Sequence, residues 1–414
     1  MASPGSRGTI KDKAGFNAGE DAAALRKAIE GIGTNEKTLI DILTKRSSAQ
    51  RQQICKAYQD ATGKSLVDAL KGDTKGNFED ILVALVTPPG QFDMRAIKKA
   101  IKGAGTTEST LIEILASRSN HQIKALSDAY LQETGRALTN DLKSEVGGNF
   151  GNTLTALAEG RRDESNNVDA AKAKADAKVL YEAGEKKWGT DESKFIDILC
   201  HRSVPQLRQT LVEYKNLSGK TLQQSIESEM SGNLEEVLVA IVKCVNSVPA
   251  YMAELLHKSL KGAGTNEAVL TRIMVSRSEI DMMDIKAEYK KLFGRSLYSD
   301  IKLYKPVCSS PTQREIMRER CWGSVEWRPE LEILLITLRN TTRRSRDDRT
   351  RTRRCFLPEM DENLLSFAVF SAVVWLVVGL YLLVCTYLLC TVCKRMKRSE
   401  EETESSTTEV ADIL

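Results

Sequence analysis

Apolar residues recur with helical spacing through residues 18–302. Leu39, Ile40, Ile42 and Leu43 fall at i, i+1, i+3 and i+4, one face of a helix. Ala23, Leu25, Ala28 and Ile29 form an earlier run, and the short string Gly31–Thr34 separates the two. Further apolar runs at Ile81–Val86, Leu154–Leu157 and Val237–Val242 close successive segments. Alternating runs bounded by turn residues, the mark of strands, are absent here. The pattern predicts an all-α protein over this stretch.

The same pattern returns four times. Gly-x-Gly-Thr occurs at Gly31–Thr34, Gly103–Thr106 and Gly262–Thr265, with the variant Lys187-Trp188-Gly189-Thr190 between. The starts are 72, 84 and 75 residues apart. An Arg-Ser pair follows each loop, at Arg46, Arg118, Arg202 and Arg277, with the same separations. Two markers in lockstep define four repeats of about 70 residues. The polar run Arg161–Lys174 accounts for the longer middle interval. Thr34, Thr106, Thr190 and Thr265 are the expected N-caps of the helices that follow. Glu36, Glu108, Glu192 and Glu267 stand in the first turns, where the helix dipole favours an acid. The Arg-Ser arginines are expected to make structural ion pairs or helix caps.

Gly-x-Gly taken alone requires only a turn between helices. A second spacing adds chemistry. An acid stands 39 residues after each of three threonines, at Asp73, Glu145 and Glu229, and a glycine-rich loop follows each. Backbone carbonyls from one loop and a carboxylate from another make an all-oxygen site for a hard cation with many ligands, Ca²⁺ over Mg²⁺ or Zn²⁺. One carboxylate per site is a low ligand charge. Open coordination positions then suit an anionic oxygen from outside, such as a lipid phosphate, and calcium and membrane affinity become reciprocally linked.

These motifs resemble annexin repeats: Gly-x-Gly-Thr, the distal acid, and Arg-Ser after the second helix. The resemblance covers about residues 8–302. It implies four repeats of about five helices in a curved disc, with calcium loops docking onto acidic phospholipid membranes. Carried over by position, repeat one would use the carbonyls of Ile29, Gly31 and Gly33 with Asp73. Repeat two would use Ile101, Gly103, Gly105 and Glu145. Repeat three would use Gly184, Lys187, Gly189 and Glu229, with Trp188 inserting between headgroups. Repeat four keeps Leu260, Gly262 and Gly264, but its acid position is Tyr304, which supplies no carboxylate. The family association with phospholipase A2 inhibition would follow from coating the substrate lipid.

The expected organisation is an arm over 1–17 and repeats over 18–89, 90–161, 174–246 and 249–302. The fourth repeat lacks its closing helix. An Arg-rich, largely disordered segment covers 303–363, a transmembrane helix 364–393 and a charged tail 394–414. The composition changes at the same place. Residues 1–302 hold 29 Lys and 14 Arg, and residues 303–414 hold 3 Lys and 14 Arg. The segment Glu330–Leu338, with a helical apolar face, is a weak substitute for the missing helix. Leu364–Cys393 carries no charge over 30 residues, enough to cross a hydrocarbon core of roughly 30 Å. Met1–Phe16 is polar and shows no secretory signal, so tail anchoring with cytoplasmic repeats is expected.

A net charge of +4 does not suggest a nucleic-acid ligand. The nine cysteines form no disulfide or zinc pattern. His121, His201 and His257 are isolated, and no P-loop, nucleophile elbow or Rossmann fingerprint occurs. The sequence holds no catalytic constellation. The rival to a calcium-dependent lipid binder is a membrane-anchored structural or channel-like protein dominated by the C-terminal helix.

Overall fold

The computed structural model describes residues 7–31, 34–102, 106–184, 191–261 and 266–303. The described residues are helical with no strand, in accord with the 3.6-residue pattern. Repeat one comprises α1 (Ala18–Glu30), α2 (Glu36–Leu43), α3 (Ser48–Thr62), α4 (Leu66–Asp73) and α5 (Asn77–Val86). Repeat two comprises α6 (Pro89–Lys102), α7 (Glu108–Ser117), α8 (Asn120–Thr134), α9 (Leu138–Glu145) and α10 (Gly148–Ala158). Repeat three follows with α11 (Ala170–Ala183), α12 (Glu192–His201), α13 (Val204–Ser218), α14 (Leu222–Glu229) and the first half of α15 (Gly232–Lys261).

Helix α15 breaks at Ser247, whose φ of −162° and ψ of 107° are extended. Pro249 follows, as a proline fits the first turn of a new helix. The second half of α15 therefore opens repeat four, which continues in α16 (Glu267–Arg277), α17 (Met282–Phe293) and α18 (Leu297–Leu303). A fifth helix for this repeat, the segment 330–338 and the span 364–393 all lie outside the described residues.

Local signals fix the third helix of each repeat. Ser47, Ser119 and Ser203 accept the amides of Gln50, Gln122 and Gln206 and so cap α3, α8 and α13. Each third helix ends on a left-handed glycine, such as Gly63 at φ 69° and Gly294 at φ 69°. The first helix packs along the third in every repeat: α1 on α3, α6 on α8, α11 on α13 and α15 on α17. Under each pair lies a buried tyrosine, Tyr58, Tyr130, Tyr214 or Tyr289, twelve residues after the Arg of its Arg-Ser pair.

The Arg-Ser arginines are ion pairs, as expected. Arg46 bonds Asp21 through Nε at 2.6 Å and Nη2 at 2.8 Å. Arg118 holds Asp93 in the same two-pronged way at 2.7 and 2.9 Å, and Arg202 holds Asp176 at 2.8 and 3.0 Å. Each pair ties the first helix to the corner after the second. Repeats also meet one another. Helix α5 packs on α16, α10 on α12 and α7 on α15, and the buried Arg272 binds Glu113 at 2.8 Å between repeats two and four. The arm adds a further link. Thr9 and Ile10 donate their amides to Ser278 O, while Ser47 Oγ donates to Asp12.

Candidate functional site

In repeat one the chain after the first helix meets the C-terminal end of the fourth. Asp73, Glu145 and Glu229 are the last residues of α4, α9 and α14, and all three are exposed. Ile29 and Ile101 lie in the last turns of α1 and α6, buried by their side chains. Gly31 caps α1 with extended backbone, and Gly184 caps α11. Leu260 lies in the last turn of α15. Gly33, Gly103, Gly105, Lys187, Gly189, Gly262, Gly264, Trp188 and Tyr304 are outside the described residues.

In repeat one the two halves are joined directly. Thr34 Oγ1 donates to the backbone oxygen of Asp73 at 3.2 Å. Thr34 is therefore held beside Asp73, the acid that the spacing singles out 39 residues along the chain. A further bond closes each loop. Asn35 N donates to Ala28 O at 2.9 Å, Thr107 N to Ala100 O at 3.0 Å and Asn266 N to Ser259 O at 3.0 Å. In repeat three the bond runs from Asp191 N to Ala183 O at 2.9 Å and spans one more residue.

The expected threonine caps are displaced by one residue. Asn35, Thr107, Asp191 and Asn266 are the N-caps of α2, α7, α12 and α16. Asn35 and Asn266 accept the amides of Thr38 and Val269, both at 3.2 Å. Thr34 is committed to Asp73 instead, and Thr106 donates to Glu108 Oε1 at 2.6 Å. That bond lowers the Glu108 pKa, whereas burial raises that of Glu36.

The donor chemistry fits Ca²⁺. A helix C-terminus offers carbonyls without intrahelical partners and the negative end of its dipole, so it attracts a cation. Asp73 adds an exposed carboxylate at that end. Among the described residues no group of three or more His, Cys, Asp or Glu could hold a metal by side chains alone. A cation here would be held chiefly by backbone oxygen, with positions open to water or an external anion.

Comparison with known proteins settles the family. The annexin family model matches residues 20–85, 92–157, 175–241 and 251–304. The chain belongs to the annexin family. It is 56% identical to human annexin A3 over 298 residues, 72% of this chain and 92% of that protein. It is 50% identical to human annexin A4 over 302 residues, 73% and 94% of the two chains. The solved structure of annexin III aligns with a TM-score of 0.72 at 51% identity, covering 81% of this chain and 98% of the other. A calcium-bound structure of annexin (Sm)1 aligns with a TM-score of 0.66 at 31% identity, covering 80% and 93%.

The repeated tyrosines and the aspartates that pair with the arginines escaped the reading of motifs. Both carry a signal. Tyr58, Tyr130, Tyr214 and Tyr289 keep the spacing of the Arg-Ser pairs, and Asp21 and Asp93 each stand 25 residues before their arginine. The three cysteines of the repeats are chemically quiet. Burial pushes the Cys55 thiol up to about 11 and those of Cys200 and Cys244 up to about 12, so their reactive thiolates are scarce at neutral pH.

Proposed function

We propose that this annexin binds acidic phospholipid membranes in a calcium-dependent manner. Calcium would be held by the carbonyls at the ends of the first helices and by Asp73, Glu145 and Glu229. The single observation behind this reading is the Thr34–Asp73 bond, which joins the residue after the Gly-x-Gly motif to the backbone of an exposed aspartate. Membrane phosphate would complete the coordination, so lipid and calcium would each raise affinity for the other. Coating of lipid would also shield it from phospholipase A2, with no catalytic group on the annexin. The domain boundaries expected from the repeats belong to the same reading.

The test is vesicle sedimentation of the full chain with and without calcium. Asp73→Ala, Glu145→Ala and Glu229→Ala together should abolish the calcium-dependent fraction. Unchanged sedimentation would sink the assignment. A second reading rests on the 30 uncharged residues of Leu364–Cys393, which would add a permanent anchor. Flotation with liposomes in EGTA separates the two, because an anchor survives chelation and a calcium bridge does not.

A further inference from the structure

The fifth helix is the one that passes from repeat to repeat. In repeat one, α5 packs on α2, α3 and α4 of its own repeat and on α16 of repeat four. In repeat two, α10 packs on α7 and α9 and on α12 of repeat three. The residues that α5 buries include Phe78, Ile81, Leu82 and Leu85, at i, i+3, i+4 and i+7. Repeats two and three keep apolar residues at these four positions, Thr153 excepted.

The described helices of repeat four carry the positions that receive such a partner. Leu39, Ile42, Ile54 and Leu66 of repeat one have counterparts 231 residues on, in Leu270, Ile273, Ile285 and Leu297. All four counterparts are buried, on α16, α17 and α18. The contact of α5 with α16 runs from repeat one to repeat four, and its reciprocal runs from repeat four to α2.

The register of the repeats predicts the inward positions of this fifth helix at Ser309, Thr312, Gln313 and Ile316. Three of the four are polar, so the chain in register does not supply the face. Twenty-two residues further on, the same four positions are Leu331, Leu334, Leu335 and Leu338. Glu332 then matches Glu79 and Glu235, which follow the first apolar residue in repeats one and three. Ile333, at the exposed Asp80 position, departs from the pattern. The ends are suited to a helix as well. Pro329 precedes the segment, and Arg339 and Asn340 follow it, where a cation and a C-terminal cap belong.

We propose that residues 330–338 are the fifth helix of repeat four and dock on α16, α17 and α18 and on α2 of repeat one. The connection from the fourth helix is 26 residues, 304–329, where the other repeats use two or three. Length is a small obstacle, because the entropy of closing a loop grows only with the logarithm of its length. The uncharged stretch Leu364–Cys393 is the poorer occupant. It has no polar side to turn outward, whereas Glu79 and Asp80 give α5 one.

The test is hydrogen exchange of the full chain in detergent micelles, read peptide by peptide by mass spectrometry. Amides of residues 331–338 should be protected, as those of helices packed in a core are. Leu334→Asp with Leu335→Asp should abolish that protection and speed exchange in α2, α16 and α18, while α8 and α13 keep theirs. Ser309→Asp with Thr312→Asp, at the in-register positions, should change nothing. Deleting residues 306–327 returns the four leucines to the common register and should raise the melting temperature. Fast exchange at 331–338 in the wild type would overturn the proposal, as would an aspartate pair that leaves α2 and α16 unaffected. If that pair unfolds the whole chain, the deletion decides, and an unchanged or lower melting temperature overturns the docking. Protection found in a dimer and lost in the monomer would give the seat to a second copy. Protection of α16 that depends on residues 364–393 and not on the leucines would give it to that stretch. Either result overturns the assignment.

Discussion

Repeats two and four are built on the same frame and braced differently. Each places a buried tyrosine between its first and third helices, and each tyrosine donates to an aspartate eleven residues later, Tyr130 to Asp141 at 2.7 Å and Tyr289 to Asp300 at 2.8 Å. In repeat two, Arg118 reaches back 25 residues to Asp93 on the first helix. In repeat four the corresponding position is the fully buried Met252, and Arg277 turns instead to Asp281, four residues on. A long-range clamp has become a local one. The first helix of repeat four is consequently held by apolar packing and by the His257–Tyr289–Phe293 rings. The ion pair is a brace that packing can replace.

Breaking the brace tests that contrast most strongly. Arg118→Met strands the buried Asp93 and should cost about 3–5 kcal/mol in equilibrium denaturation. Arg277→Met should cost less, because the carboxylate it abandons stands at the N-cap of α17, where the helix dipole favours an acid. Equal losses would show that the reach of the pair is immaterial.

A smaller effect is expected at the shared tyrosine. Tyr130→Phe removes a bond to the buried Asp141 and should cost about 1.5–3 kcal/mol by thermal or chemical unfolding. Tyr289→Phe should cost less, since Asp300 is only half-buried. A larger loss in repeat four would mean that the rings depend on the hydroxyl more than on stacking.

The smallest effect is a pH slope. His257 has a folded pKa below its ordinary value of 6.5. As pH falls through about 6.5 the unfolded chain binds this proton first, so its stabilising contribution is whole above that pH and declines below it. The decline levels off once pH passes the folded pKa. Unfolding measured across this window should show the slope flattened in His257→Gln, and an unaltered slope would assign it to another group.

Much of this was legible in one dimension. Helical period, four repeats and the distal acids are local or evenly spaced features, and a spacing kept three or four times survives without coordinates. The displaced caps were not legible, because Thr34 and Asn35 are both good capping residues and only the bond from Thr34 to Asp73 decides between them. The extra residue in the third loop became plain through the Asp191–Ala183 bond.

The sequence by itself determined the helical class, the number of repeats and the residue types available to a cation, because hydrophobic period and repeat spacing are properties of the chain. The tertiary structure decided which partners those residues take. It set Arg46 on Asp21 and Arg277 on Asp281, joined repeats two and four through Arg272 and Glu113, and stacked His257 on Phe293. Such pairings depend on which helices lie side by side and how deeply they are buried, and no spacing along the chain records that.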